Sequence, residues 1–234
     1  MVLLSRMPEL SDGQRIQFPQ VSEDEEIAAV GGNLSVGVLL SAYEQGLFPW
    51  YNPGEPIIWW NPSQRMVLPV GALHLGSRTE RTIRKAPFRI TFDSCFREVI
   101  SCCAQVPREE QDGTWIDRQM IDAYTRLHEA GYAHSVEAWE GESLVGGLYG
   151  VSLGRAFFGE SMFSLASSSS KACLHALHRR LVEQHFQFID CQLYTEHLSR
   201  LGARLVSRSD FTRMLKQALS SQTVRGDWSY WSGR

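Results

Sequence analysis

The run Phe188-Ile189-Asp190-Cys191-Gln192-Leu193 places a carboxylate and an amide two residues apart in an otherwise apolar stretch. Side chains alternate across a strand, so Phe188, Asp190 and Gln192 share one face, and Ile189, Cys191 and Leu193 the other. Polar groups buried there need partners. They either satisfy loop amides or form a hydrogen-bonded pair on the floor of a reaction cleft, where such groups handle protons. Glu160 is a second candidate, late in an aromatic strand just after Phe157 and Phe158. Gly159-Glu160-Ser161-Met162-Phe163 half-matches the Gly-x-Ser-x-Gly elbow of serine hydrolases. Phe163 stands where the second glycine belongs, and the elbow also requires a strand-to-helix turn. His175 and His178 have an i, i+3 helical spacing that metals use, but no carboxylate or cysteine framework accompanies them. They read as solvated helix histidines. Gly-x-x-x-x-Gly-Lys and Gly-x-Gly-x-x-Gly loops are missing, so ATP and NAD chemistry has no support.

A second group of residues suits a polyanion. Arg78, Arg81, Arg84 and Lys85 recur at three- and four-residue spacing, with Glu80 the one acid nearby. On a helix they form a cationic face that can meet phosphates or simply be solvated. Arg200, Arg204, Arg208 and Arg213 are a sparser basic set. Four of the seven tryptophans, Trp50, Trp59, Trp60 and Trp115, sit beside turn residues. Aromatics there can stack on bases or pack a seam between domains.

The elements needed to position these groups are legible in outline. Ser35 can cap a helix through Val38, Leu39, Ala42 and Tyr43 that stops at Gly46. An aromatic, turn-rich stretch from Phe48 to Pro62 closes a small N-terminal α/β domain near residue 63. Phe96, Val99, Ile100 and Cys103 mark one later helical face; Ile121, Tyr124, Leu127 and His128 mark another, opened by Asp117. Strands follow at 134–139, 144–151 and 155–163 as a meander. Then come a helix at 169–184, a strand at 187–193, and helices at 195–201 and 210–219. Residues 64–234 therefore read as an α+β domain with a mixed sheet.

Composition agrees with a folded chain. The 234 residues are 43% hydrophobic and 21% charged, enough to bury a core. Lys plus Arg number 23 and Asp plus Glu 26, a net charge of −3, so any nucleic-acid surface must be local. Neither a signal peptide nor a membrane-length apolar run is evident. The five cysteines are odd in number, lack a Cys-x-x-Cys pair, and read as reduced, mostly buried thiols in a cytoplasmic protein.

Several long stretches together resemble the leucyl/phenylalanyl-tRNA–protein transferases. They are Leu47 to Trp60, Gly113 to Ile116, Leu127 to Glu137, Leu144 to Val151, Phe158 to Ser164 and Phe188 to Gln192. The resemblance implies an acetyltransferase-like (GNAT-like) larger domain, used with tRNA in place of coenzyme A. It implies transfer of Leu or Phe, and less well Met, from Leu-tRNA or Phe-tRNA to proteins beginning with Arg or Lys. That transfer marks the acceptor with an N-degron. It further implies no ATP, no metal and a monomer without membrane attachment.

By position, the resemblance makes Asp190, Gln192 and Glu160 catalytic. Asp190 would polarise the Gln192 amide, whose oxygen helps deprotonate the incoming α-amine. An amide is a weak base, so Gln192 orienting the amine beside the Asp190 charge is the alternative. Glu160 would contact the aminoacyl end or the basic acceptor residue. Trp50 and Trp115 would frame the terminal adenosine, and Leu148, Phe157, Leu174, Leu177 and Ile189 would enclose the transferred side chain. Leu148 and Leu177 depart from the Met and Phe familiar at those places, yet keep the pocket apolar. Arg78, Arg81, Arg84 and Lys85 would hold the acceptor arm. Two other readings compete: a coenzyme A acyltransferase, which would usually show an Arg/Gln-x-x-Gly-x-Gly loop, and a non-catalytic tRNA-binding module, which leaves Asp190, Gln192 and Glu160 unexplained.

Overall fold

The computed structural model of the protein describes residues 2–4, 7–22, 24–85, 88–106 and 116–232. A small sheet comes first, from β1 (Val2–Leu4), β2 (Ile27–Gly31), β3 (Phe48–Pro49) and β4 (Ile58–Trp60), in the order β1-β2-β4-β3. Helix α1 (Val36–Glu44) lies between β2 and β3. Gly37 to Tyr43 are all buried, as expected of a helix apolar on nearly every side. Ser35 does stand at its N-cap, but the hydroxyl accepts from the Leu10 backbone N–H rather than from the helix.

The large sheet comprises β5 (Gln64–Pro69), β6 (Arg89–Phe92), β7 (Ala133–Glu140), β8 (Ser143–Leu153), β9 (Ala156–Ser164), β10 (Phe188–Gln192) and β11 (Arg204–Ser207). Their order is β11-β5-β10-β9-β8-β7-β6. The expected meander is β7-β8-β9. Within this sheet, among the described residues, the β9–β10 pair alone is parallel, joined by the crossover helix α5 (Ser169–Glu183). The remaining helices are α2 (Ser77–Lys85), α3 (Phe96–Gln105), α4 (Arg118–Glu129), α6 (Glu196–Arg200) and α7 (Arg208–Leu219). The protein is thus α+β with mixed sheets.

Three differences from the sequence expectations have physical reasons. Trp59 and Trp60 lie inside β4 rather than beside a turn, because Pro49 and Phe48 of β3 pair with them. β5, β6 and β11 are strands that the sequence reading does not include, because long-range pairing rather than local pattern defines them. His178 is buried, and its Nε2 accepts from the Gly71 backbone N–H at 2.9 Å, so it is a neutral structural histidine and not a solvated one.

The large sheet is covered on both faces. Val67, Tyr149, Phe158 and Phe188 pack with α1, α3, α4, α7 and the small sheet into one continuous core. Met66, Leu68, Leu148, Phe157 and Ile189 pack with α5 and the C-terminal tryptophans into another. None of the five cysteines is in a disulfide; Cys103 and Cys173 are buried, the other three half-buried.

Asp93 anchors the C-terminal segment. Its carboxylate accepts from the Ser135 and Trp228 backbone N–H groups and bonds His134 Nδ1 at 2.8 Å. Trp228 is fully buried, stacked on His134 at 3.7 Å and on Trp231 at 4.0 Å. Truncating a buried tryptophan leaves a cavity its neighbours cannot fill. Trp228→Ala should therefore lose about 3–5 kcal/mol of unfolding free energy in urea titrations. An unchanged midpoint would show that this segment does not support the second core.

Candidate functional site

The site lies where β9 and β10 part. Their parallel pairing ends at Phe158 and Asp190, whereas β9 continues to Ser164 against β8 alone. A cavity of about 570 Å³ fills the opening and draws its walls from both faces of the sheet. One wall is apolar: Leu148 and Phe157 from the meander, Leu174 and Leu177 from α5, and Ile189 from β10. The periodicity of each element aims these side chains at one face. A Cβ at Gly150 would meet the Phe158 carbonyl oxygen at 2.2 Å and the Phe157 ring at 2.5 Å. Glycine there admits the register shift opposite it, where β9 carries Glu160 as the extra residue between Gly159 and Ser161, and leaves the Phe157 ring in place.

The other wall carries Glu160 and Gln192, with Phe48, Pro49 and Trp50 beside them. Glu160 Oε1 accepts from the Tyr43 hydroxyl at 2.7 Å and from Gln192 Nε2 at 3.0 Å. Its Oε2 accepts from the Tyr124 hydroxyl at 3.2 Å, and the two tyrosine hydroxyls bond each other. Tyr43 comes from α1 and Tyr124 from α4, so two helices hold one carboxylate. Burial pushes both phenols well above their usual range and keeps them as donors.

Glu160 itself is raised to about 7, chiefly by burial, with the Asp190 charge adding to it. The bonds from Tyr43 and Tyr124 and the Arg65 charge act in the opposite direction.

Asp190 stands behind this wall, fully buried. Its two oxygens take Arg65 Nε at 2.9 Å and Nη2 at 2.7 Å. Oδ1 also accepts the Gln192 backbone N–H at 2.9 Å. The strand alternation expected for Asp190 and Gln192 is interrupted by a bulge between them, and Gln192 has φ +63°. Consequently Asp190 holds the Gln192 main chain, while the Gln192 side-chain amide donates to Glu160. This differs from direct polarisation of the amide by Asp190. Glu160 meets Gln192 and two tyrosines through its two oxygens. Ser161 is mid-strand in β9, not on a strand-to-helix turn, which removes the hydrolase elbow.

The structure therefore brings together Asp190, Gln192, Glu160, Trp50, Leu148, Phe157, Leu174, Leu177 and Ile189. Trp115 lies outside the described residues. Trp59 is fully buried, and Trp60 packs on Trp50 at 5.6 Å between ring centroids and donates to its carbonyl. Arg78, Arg81, Arg84 and Lys85 lie on α2, which buries none of its residues and packs on α5. Among the described residues none of the four forms an ion pair. Three of the sparser basic set are engaged in structure: Arg200 pairs with Glu196, Arg213 with Asp210, and Arg208 donates to the Ser22 carbonyl. Tyr43, Tyr124 and Arg65 were not predicted site residues. The tyrosines read as apolar helix faces, and the only signal at Arg65 was a charge entering the apolar run Met66-Val67-Leu68.

No helix of the described residues is long and apolar enough to cross a membrane. Among the described residues no group of three or more His, Cys, Asp or Glu could hold a metal ion.

Comparisons with known proteins point one way. The family described as leucyl/phenylalanyl-tRNA protein transferase matches residues 67–216, and its N-terminal domain matches residues 32–63. A leucyl/phenylalanyl-tRNA–protein transferase of Syntrophus aciditrophicus is 50% identical, covering 95% of this chain and 94% of its own. Those of Desulfatibacillum aliphaticivorans and Legionella pneumophila are 48% and 47% identical over 95% and 90% of this chain, and over 97% and 94% of their own. A solved structure of a functionally unknown conserved protein from Staphylococcus epidermidis overlays with a TM-score of 0.43 at 9% identity, covering 77% of this chain and 68% of that one. So loose a likeness carries no argument.

The raised Glu160 carboxyl has a measurable consequence. Its proton is held more tightly in the folded chain than in the unfolded one, so its contribution to stability falls as pH rises from about 4.5 to about 7. Glu160→Gln should gain stability relative to the unsubstituted chain across that window, read as urea midpoints. Parallel pH profiles of the two proteins would rule out the raised carboxyl.

Proposed function

The chain belongs to the leucyl/phenylalanyl-tRNA–protein transferase family, and from that premise we propose that it moves leucine or phenylalanine, and methionine less well, from charged tRNA to proteins beginning with Arg or Lys. The observation that carries this reading is the two-sided cavity. An apolar wall sized for a side chain faces a polar wall whose carboxylate is poised to titrate near neutrality. Leu148, Phe157, Leu174, Leu177 and Ile189 would take the amino-acid side chain, and Trp50, with Trp115, the terminal adenosine. Pocket shape separates apolar side chains by only ~1–3 kcal/mol, which suits a site accepting more than one.

The ester linking amino acid and tRNA is already activated, so ATP is not required. The acceptor's α-ammonium must first lose a proton. Glu160 is the group on the wall with a matching proton affinity. Gln192, its NH2 held by Glu160, is free to accept an amine N–H on its oxygen and orient the nitrogen. The amine then attacks the ester carbonyl, a C–N bond forms, and the C–O bond to the ribose breaks. The second amine proton leaves with the ribose oxygen. Holding amine and ester in register supplies much of the acceleration. Asp190 provides fixed negative charge and holds the Gln192 main chain.

Arg78, Arg81, Arg84 and Lys85, without an ion pair among the described residues and on a helix that rests on α5, would grip the acceptor-arm phosphates. The parallel β9–β10 pair that opens into a cleft supports an acetyltransferase-like reading of residues 64–234, after a small domain ending near residue 63. A monomer is the state that the family resemblance favours. Charged tRNA is a cytoplasmic substrate, so the reaction belongs in the cytoplasm, and its product carries an N-degron.

The test is transfer of label from Leu-tRNA to a protein beginning with Arg, without ATP, against a matched acceptor beginning with Ala. Label on the first alone is expected; none, from folded protein that binds the tRNA, would leave a binding module. Glu160→Gln should lower transfer by about 10²–10⁴-fold with tRNA binding intact. Arg84→Ala should weaken tRNA binding and reduce its salt slope by about one. Equal salt slopes for Arg84→Ala and the parent would remove α2 from the tRNA interface.

A further inference from the structure

We propose that Arg65 is a positioning residue for aminoacyl transfer, its guanidinium fork fixing Asp190 so that Gln192 presents its amide at the reacting end; this rests on the transferase reading. Arg65 does not line the cavity, and it is only 1% exposed. Its guanidinium is clamped between two rings, 4.5 Å from the Phe48 centroid and 4.6 Å from that of Phe211. In that slot the fork has one orientation, edge-on to Asp190, with contacts of 2.9 and 2.7 Å.

A fully buried ion pair is weak evidence for a stabilising role, because well-packed apolar residues often replace one without loss. What Arg65 does at this place is geometric. The Asp190 oxygen that receives its Nε–H also receives the Gln192 backbone N–H. Gln192 sits at φ +63°, a left-handed conformation that residues with a Cβ avoid unless held. Fixing Asp190 therefore fixes the bulge, and the bulge fixes where the Gln192 amide meets Glu160. The Phe48 side of the clamp lies in β3, the strand that leads into Trp50. One guanidinium thus ties the adenosine wall to the amide. A lysine there keeps the charge but has a single point of contact and no flat face to clamp.

The experiment is Arg65→Lys, compared with the parent in steady-state transfer of Leu from tRNA to an Arg-starting acceptor. Thermal unfolding and tRNA binding are measured on the same samples. A misplacement of the order of an ångström costs about 10²-fold in rate, so kcat should fall by about that factor while both KM values and tRNA binding hold. The Gln192 side-chain amide NMR signals should move from carboxylate-bound toward solvent-like positions. An unchanged kcat, or a lowered kcat with unmoved Gln192 signals, would overturn the proposal. If Arg65→Lys does not fold, Phe211→Leu keeps the ion pair and opens one side of the clamp. The same loss in kcat at constant KM is then expected, and a parental kcat overturns the inference. The amide signals do not depend on turnover. A parent that transfers no label would count against the transferase reading, while those signals still decide the role of Arg65.

Discussion

The ion pair between Arg65 and Asp190 is the constraint on which the polar wall of the cavity depends. Two charges removed from water cost several kcal/mol each, recovered only when geometry and further hydrogen bonds are good. Here the pair is bidentate, clamped by Phe48 and Phe211, and shares an oxygen with the Gln192 main chain. It also joins parts of the chain far apart in sequence: β5 and β10 of the large sheet, β3 of the small sheet, and α7. The small sheet is thus not an appendage. It supplies one face of the clamp, and α1 supplies Tyr43.

Glu160 is held by a balance of opposing effects. Burial and the Asp190 charge favour its protonated form; two tyrosine hydroxyls and Arg65 favour the ionised one. The outcome near neutrality is what a proton acceptor for an α-ammonium requires, since a carboxylate at its ordinary affinity is too weak a base for that task. β9 and β10 pair for three residues and then separate, so polar atoms of one face and apolar side chains of the other come to a common opening.

Much of this was legible in the residues. The helical faces and the meander follow from periodicity, and Asp190 and Gln192 announced themselves as polar groups in an apolar strand. Their relation did not. Alternation puts them on one face, but the bulge at Cys191 redirects Gln192, and no local signal marks a bulge. Tyr43 and Tyr124 fall on buried helix faces, where a hydroxyl is indistinguishable from a ring that merely packs. Arg65 carries no local mark of its role, because its partner Asp190 is 125 residues away. His178 looked solvated because its partner, the Gly71 N–H, is more than a hundred residues away. In each case what was hidden is long-range: a partner supplied by another element.

The central claim is that one cavity seats the amino-acid side chain on its apolar wall and the reacting carbonyl against Gln192 and Glu160. The most direct measurement is a crystal structure with a stable amide analogue of leucyl-adenosine. The leucyl side chain is expected among Leu148, Phe157, Leu174, Leu177 and Ile189, the base beside Trp50, and the carbonyl facing Gln192. An analogue seated outside the β9–β10 opening, or with its side chain turned away from that wall, would contradict it.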